Sequence, residues 1–158
     1  MTSYRALTSL LFVLLVFGIA LGESFTGRVV GISDGDTISV MHNGRAEKVR
    51  LHGIDAPEKA QPFTNRAKQF VSDLAFGKEV KVEARGQDRY GRTIGDVFLQ
   101  DGSNLNHEIV RAGFAWWFRR YAPKDKELEK LESGAREARW GLWVDPNPIP
   151  PWEFRRNR

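Results

Sequence analysis

The 158-residue sequence contains no cysteine, which excludes disulfides, thiolate nucleophiles and cysteine-ligated zinc. It has only three histidines, which are scattered along the chain, and we assign none of them to catalysis. There is no internal repeat, and the length and the 41% content of apolar residues suit one domain with an ordinary hydrophobic core. Packing alone must therefore hold the fold.

The sequence also lacks an apolar run of the length typical of a membrane-spanning helix. Its uncharged run at residues 6–22 has 17 residues, whereas a span needs about 20. Arg5 precedes the run and Ala20-Leu21-Gly22 ends it with the small residues that signal peptidase requires. We predict that residues 1–22 are a signal peptide cleaved after Gly22, giving a periplasmic or secreted protein with no stable membrane association. The alternative is an uncleaved membrane anchor.

The net charge is weakly positive. It is +4 for the whole chain, and removal of residues 1–22 takes away Arg5 and no acid, which leaves +3. Such an excess favours a polyanion such as nucleic acid as partner, but most mildly basic proteins bind none. Charge alone therefore does not identify the partner.

Five segments have the β-branched content or alternation typical of strands, and Asp-Gly and Asn-Gly turns join the first three into a meander. Three further segments have apolar residues on one helical face. The predicted strands are 25–32, 37–41, 46–51, 79–84 and 93–99, and the predicted helices are 62–74, 105–112 and 124–139. This pattern predicts an α+β, mainly β fold: a five-stranded OB-fold Greek-key barrel with three helices packed on it.

We expect the folded domain to cover residues 23–145 and to be monomeric. Residues 146–158 are predicted to form an extended, proline-rich tail with a frayed basic end.

Acidic residues cluster at two predicted loops. Asp34 and Asp36 flank a glycine, and the meander brings this turn close to Asp55 on a second loop. Three unpaired carboxylates would repel one another, and a hard dication with oxygen ligands relieves that repulsion. The alternative is that Asp-Gly-Asp is simply a turn, because aspartate and glycine are common turn formers.

Basic residues stand beside these acids. Arg50 ends an apolar strand and Arg92 follows a glycine, and a guanidinium grips phosphate bidentately, which lysine cannot do. Glu58 follows Pro57 on the loop of Asp55, where it could accept a proton from water or orient it. The alternatives are surface salt bridges for the arginines and a solvated side chain for Glu58.

The segment Trp116-Trp117-Phe118-Arg119-Arg120-Tyr121 interleaves aromatic and basic residues. This pattern suits stacking on the bases of a single strand, so Trp116 and Trp117 are candidate substrate contacts. The alternative is that one or both fill the core, as aromatic residues at this density usually do.

The order and spacing of these motifs resemble the staphylococcal nuclease, or thermonuclease, family over about residues 25–143. The segments that carry the resemblance are Asp34-Gly35-Asp36-Thr37, Arg50-Leu51-His52-Gly53-Ile54-Asp55-Ala56-Pro57-Glu58, Asp88-Arg89-Tyr90-Gly91-Arg92 and Leu105-Asn106-His107-Glu108-Ile109-Val110-Arg111-Ala112-Gly113. The resemblance implies an OB-fold nuclease that binds one Ca²⁺ and cuts DNA and RNA, leaving 3′-phosphate ends.

The resemblance also implies roles for individual residues. The metal ligands it implies are the carboxylates of Asp36 and Asp55 and the backbone carbonyl of Ala56, with Asp34 as a nearby acid or further ligand. The catalytic residues it implies are Arg50, Arg92 and Glu58, the last as general base or only as the residue that positions water. Tyr90 and Arg89 are expected to contact substrate.

Two departures from the family pattern are visible. Ala56 replaces a threonine, which leaves a carbonyl ligand unaffected. The interval between Glu58 and the first predicted helix is only Lys59-Ala60-Gln61, where the best-known member has a longer, lysine-rich loop. A non-catalytic OB-fold module that binds nucleic acid or protein is the alternative function, but such a module has no reason to keep Asp36, Asp55 and Glu58 together.

Overall fold

In a computed structural model, which describes residues 23–157, five strands close into a barrel in the order β1-β2-β3-β6-β5. The prediction of a five-stranded barrel carrying helices is confirmed. The barrel strands are β1 (Ser24–Asp34), β2 (Thr37–His42), β3 (Arg45–Leu51), β5 (Glu79–Gln87) and β6 (Thr93–Phe98). Neighbours pair antiparallel except β3 and β6, whose parallel pairing closes the barrel. The predicted signal peptide lies outside the described residues.

Alternating side chains of the strands fill the barrel interior. Fully buried members of this core are Val29, Ile38, Val40, Val49, Val82 and Val97. β-branched residues suit these positions because they pack well on a pleated surface that is buried on one side. The period-two alternation that predicted the strands therefore has its physical cause in this core.

Four helices accompany the barrel: α1 (Thr64–Ala75), α2 (Leu105–Arg111), α3 (Lys126–Glu137) and α4 (Pro151–Arg156), with a 3-10 turn at Gly141–Val144. Asn104 and Asp125 accept backbone N–H bonds at the starts of α2 and α3, as residues at helix N-termini commonly do. Helix α1 begins two residues later than predicted, because Phe63 has a left-handed backbone with φ of 70°. No helix among residues 23–157 is long and apolar enough to cross a membrane.

Two features of the fold differ from the sequence prediction. A second, two-stranded sheet pairs β4 (Ile54–Asp55) with β7 (Trp116–Trp117). The tail, predicted to be extended with a frayed end, forms α4 from Pro151 onward, because proline is well suited to the first turn of a helix. Trp152 of α4 stacks on Phe118, with ring centroids 5.2 Å apart. Both additions lie next to the residues described below.

Candidate active site

The turn between β1 and β2 directs Asp36 into the protein. The backbone N–H of Asp36 donates to Oδ1 of Asp34 at 3.0 Å, which fixes the turn. Asp36 is buried, and its Oδ1 accepts a hydrogen bond from the Thr37 hydroxyl at 3.1 Å. Its Oδ2 accepts the backbone N–H of Ala56 at 2.6 Å. The turn that carries Asp34 and Asp36 is thus hydrogen-bonded to the segment that carries Asp55.

Arg50 joins two carboxylates from different loops. Its Nη1 lies 3.1 Å from Oδ2 of Asp36, and its Nη2 lies 3.1 Å from Oδ1 of Asp55. The β2–β3 register, which places Thr37 opposite Arg50, brings Arg50 next to Asp36. Nη1 also donates to the carbonyl of Ile54 at 3.1 Å. We call Asp36, Arg50 and Asp55 the acid–arginine centre.

The small β4–β7 sheet positions Asp55. Trp116 lies opposite Asp55 in this sheet, and Trp117 lies opposite Ile54. Both indoles are buried, and Nε1 of Trp117 donates to the carbonyl of Ala122 at 2.8 Å. Their placement does not support the prediction that they stack on bases. They form the buried platform that holds Asp55.

Burial dominates the electrostatics of Asp36. Desolvation raises its pKa to about 7, against the lowering effect of Arg50 and with further raising by Asp34 and Asp55. A further cation close to this buried carboxyl would stabilise its charged form. Its neighbours offer oxygen donors and no sulfur, which suits a hard cation such as Ca²⁺. Within residues 23–157, however, no group of three or more acidic or histidine side chains lies close enough together to hold a metal ion by itself.

Arg92 stands on the loop before β6, the strand that pairs with β3. Its Nε lies 2.6 Å from Oδ2 of Asp88, and its backbone N–H donates to Oδ1 of the same residue at 3.0 Å. Tyr90 is exposed, and Nη2 of Arg89 donates to its hydroxyl at 2.7 Å. Among the described residues, the acid paired with Arg92 is Asp88 rather than a member of the acid–arginine centre. The loop thus presents three cationic or aromatic side chains, those of Arg89, Tyr90 and Arg92.

A tight turn holds Glu58. Its backbone N–H donates to Oε1 of Gln61 at 2.7 Å, and its carbonyl accepts the N–H of Gln61 at 2.8 Å. Gln61 is buried, and its Nε2 donates to the carbonyl of Ile149 at 2.9 Å. The short interval after Glu58 is therefore a hydrogen-bonded turn. Gln61 is a positioning residue that sequence reasoning missed.

Arg155 of α4 is the other residue that the sequence analysis missed. Its Nη2 lies 2.8 Å from Oδ2 of Asp55, and its Nη1 pairs with Oε1 of Glu58. The contacts span about a hundred residues of chain, and no local motif announces them. The only sequence signal was the cluster Arg155, Arg156 and Arg158, interpreted there as a frayed end. The structure instead brings Arg155 against two predicted site acids.

Comparison with known proteins gives the class. Residues 48–145 match the family model described as staphylococcal nuclease homologue. The chain is 44% identical to a micrococcal nuclease of Shigella flexneri, over 91% of this chain and 88% of the relative. It is 43% identical to an uncharacterized endonuclease of Haemophilus influenzae, over 95% and 84% respectively. It is also 39% identical to a staphylococcal-like nuclease of Arabidopsis thaliana, over 70% of this chain and 34% of that protein.

The chain therefore belongs to the staphylococcal nuclease family. It is a phosphodiester hydrolase of the thermonuclease type, and its substrates are nucleic acids.

Proposed function

We propose that this protein is an exported, Ca²⁺-dependent nuclease that hydrolyses both DNA and RNA and leaves 3′-phosphate ends. The observation that carries the proposal is the acid–arginine centre, in which one guanidinium holds two carboxylates from separate loops. Phosphodiester hydrolysis needs carboxylates for a dication and guanidinium groups for phosphate, and this centre offers both. Family membership supports the reaction class.

One Ca²⁺ ion would be held by Asp36, Asp55 and the carbonyl of Ala56, with Asp34 next to them. The ion would supply Lewis-acid polarisation of a phosphoryl oxygen. The oxygen-only donor set supports a hard cation at this place. Arg50 contacts both carboxylates and therefore lies next to the place where the ion would bind.

The chain's own residues then perform the reaction. Arg50 binds the reacting phosphate, and Arg92 neutralises charge that develops on the phosphoryl oxygens or on the leaving group. Glu58 accepts a proton from the attacking water, or orients that water, as it displaces the 5′-oxygen in line. Tyr90 and Arg89, on the loop of Arg92, contact the phosphates of the substrate.

Two further parts of the proposal concern export and oligomeric state. Export rests on the sequence of residues 1–22 alone. We further propose that the protein acts as a monomer.

Digestion of double-stranded DNA, single-stranded DNA and RNA by the purified protein tests the proposal. The expected result is cleavage of all three with Ca²⁺, none with a chelator, and products whose 3′ ends need a phosphatase before a polymerase can extend them. Cleavage that persists in chelator, or products with free 3′-hydroxyls, would contradict it.

A further inference from the structure

Arg155 makes a bidentate contact with Asp55. Nη2 lies 2.8 Å from Oδ2 and Nη1 lies 3.4 Å from Oδ1, while Nη1 also pairs with Glu58. The guanidinium thus faces both oxygens of a proposed metal ligand and one oxygen of the proposed proton acceptor. Residues 48–145, which match the family model, do not include Arg155.

Helix α4 is anchored where it lies. Trp152 stacks on Phe118 with an interplanar angle of 13°, and Pro151 is buried. The carbonyl of Ile149, just before the helix, accepts a hydrogen bond from Gln61 at 2.9 Å. Gln61 is also the residue that holds the turn of Glu58. The position of Arg155 is therefore built by packing rather than by attraction between charges alone.

The two arginines on Asp55 differ in their freedom to move. The Arg50 side chain is 18% exposed and also donates to backbone carbonyls, whereas the Arg155 side chain is 43% exposed. Arg50 is fixed by several partners, but Arg155 reaches into the site from its rim. A rotation of its side chain can release Asp55 and Glu58 while α4 stays docked.

We propose that Arg155 is a third phosphate-binding arginine of this nuclease. It neutralises Asp55 and Glu58 in the metal-free protein and transfers to a non-bridging oxygen of the substrate phosphate once Asp55 is engaged by a dication. A guanidinium can bind a carboxylate or a phosphate through two parallel hydrogen bonds. The transfer therefore replaces the carboxylate partners of Arg155 with a phosphate partner at the edge of the site. This inference rests on the proposed function above.

Binding of a single-stranded DNA oligonucleotide tests the inference. All variants carry Glu58→Gln to slow cleavage, and affinity is measured in Ca²⁺ at several salt concentrations. Arg155→Ala is expected to weaken binding about tenfold to a hundredfold, as for loss of a charged hydrogen bond. The slope of log affinity against log salt should also fall by about 0.7. Arg156→Ala, an exposed change on the same helix, is the matched control and should change affinity by less than about twofold.

A second variant separates phosphate binding from a purely structural role. Arg155→Lys keeps the charge but loses the fork, so it should restore the salt slope but not the full affinity. Without Arg155 a competing cation is gone, so Ca²⁺ should bind more tightly to Arg155→Ala in the absence of DNA. Failure of lysine to restore the slope would contradict the inference.

Two other outcomes would overturn it. Unchanged affinity and slope in Arg155→Ala would show that Arg155 does not touch phosphate. Tighter DNA binding and faster cleavage by Arg155→Ala with Glu58 intact would show that α4 obstructs the site instead. In both cases the wild-type protein still cuts in Ca²⁺, whereas a wild type that does not cut refutes the proposed function itself.

Discussion

The backbone N–H of Ala56 donates to Oδ2 of Asp36 at 2.6 Å, across twenty residues of chain. Gly35 makes this approach possible, since a Cβ at that position would lie 2.8 Å from Cβ of Ala56 and 2.9 Å from Cβ of Ala67. Any side chain there must push the acid turn away from the loop of Asp55. The spacing of the two proposed metal carboxylates thus depends on a glycine that has no chemistry of its own.

Gly35→Ala is therefore expected to lower both stability and Ca²⁺ affinity. Overpacking of this kind costs about 1–3 kcal/mol, and displacement of Asp36 should weaken Ca²⁺ binding about tenfold or more. Denaturant unfolding and a calcium titration measure the two effects. Gly134→Ala is the matched control, because a Cβ there meets nothing within 4 Å and alanine favours a helix. Equal behaviour of the two variants would show that the close contact at Gly35 is unimportant.

The metal-free protein should lose stability as the pH rises from about 4 to about 7. The pKa of Asp36 is raised to about 7 from an ordinary 3.8, so between these values the folded state binds a proton that the unfolded state has released. The stabilisation is complete below about pH 4, declines as the pH rises from there, and is fully lost once the pH has passed about 7. The free energy of unfolding in chelator, measured from pH 4 to 8, should show this decline.

Asp36→Asn removes the titrating group and should flatten that part of the profile. Asp73→Asn, at an exposed position of α1, is the control and should keep the wild-type slope. A wild-type slope in Asp36→Asn would mean that another group is responsible.

Glu58→Ala and Arg92→Ala should each lower kcat/KM at least about a hundredfold, the scale for loss of one group that stabilises the transition state. Initial rates on single-stranded DNA in Ca²⁺ measure the effect, with circular dichroism to verify folding. The charge-matched controls Glu127→Ala and Arg45→Ala change exposed residues and should stay within about threefold of wild type. Near-normal rates in folded Glu58→Ala or Arg92→Ala would refute the role assigned to that residue.

Much of this fold is predictable because its barrel strands and first three helices are long enough to show a period. Strand β4 has two residues, as does β7, and two residues carry no alternation. For this reason the sequence leaves the tryptophans of β7 as candidates for base stacking or for the core, since neighbouring aromatic and basic residues do not reveal which side chains are buried. Burial of both indoles resolves the choice that the sequence left open.

The site residues likewise divide into those that the sequence predicts and one that it does not. The sequence predicts that Asp36, Arg50 and Asp55 converge because a meander brings its own turns together, and the contacts of Arg50 with both acids show that they do. Arg155 could not be predicted, because its position depends on Trp152 packing against Phe118 and on Gln61 bonding to Ile149. Such contacts follow from tertiary packing between distant segments and leave no local pattern.

Calorimetric titration of the purified protein with Ca²⁺ tests the acid–arginine centre most directly, because it needs no substrate. The proposed function predicts one ion per chain for the wild type and loss of most of the binding in Asp36→Asn and in Asp55→Asn. A wild type that takes up no Ca²⁺, or variants that bind it as the wild type does, would contradict the assignment of these two carboxylates to a metal-dependent nuclease centre.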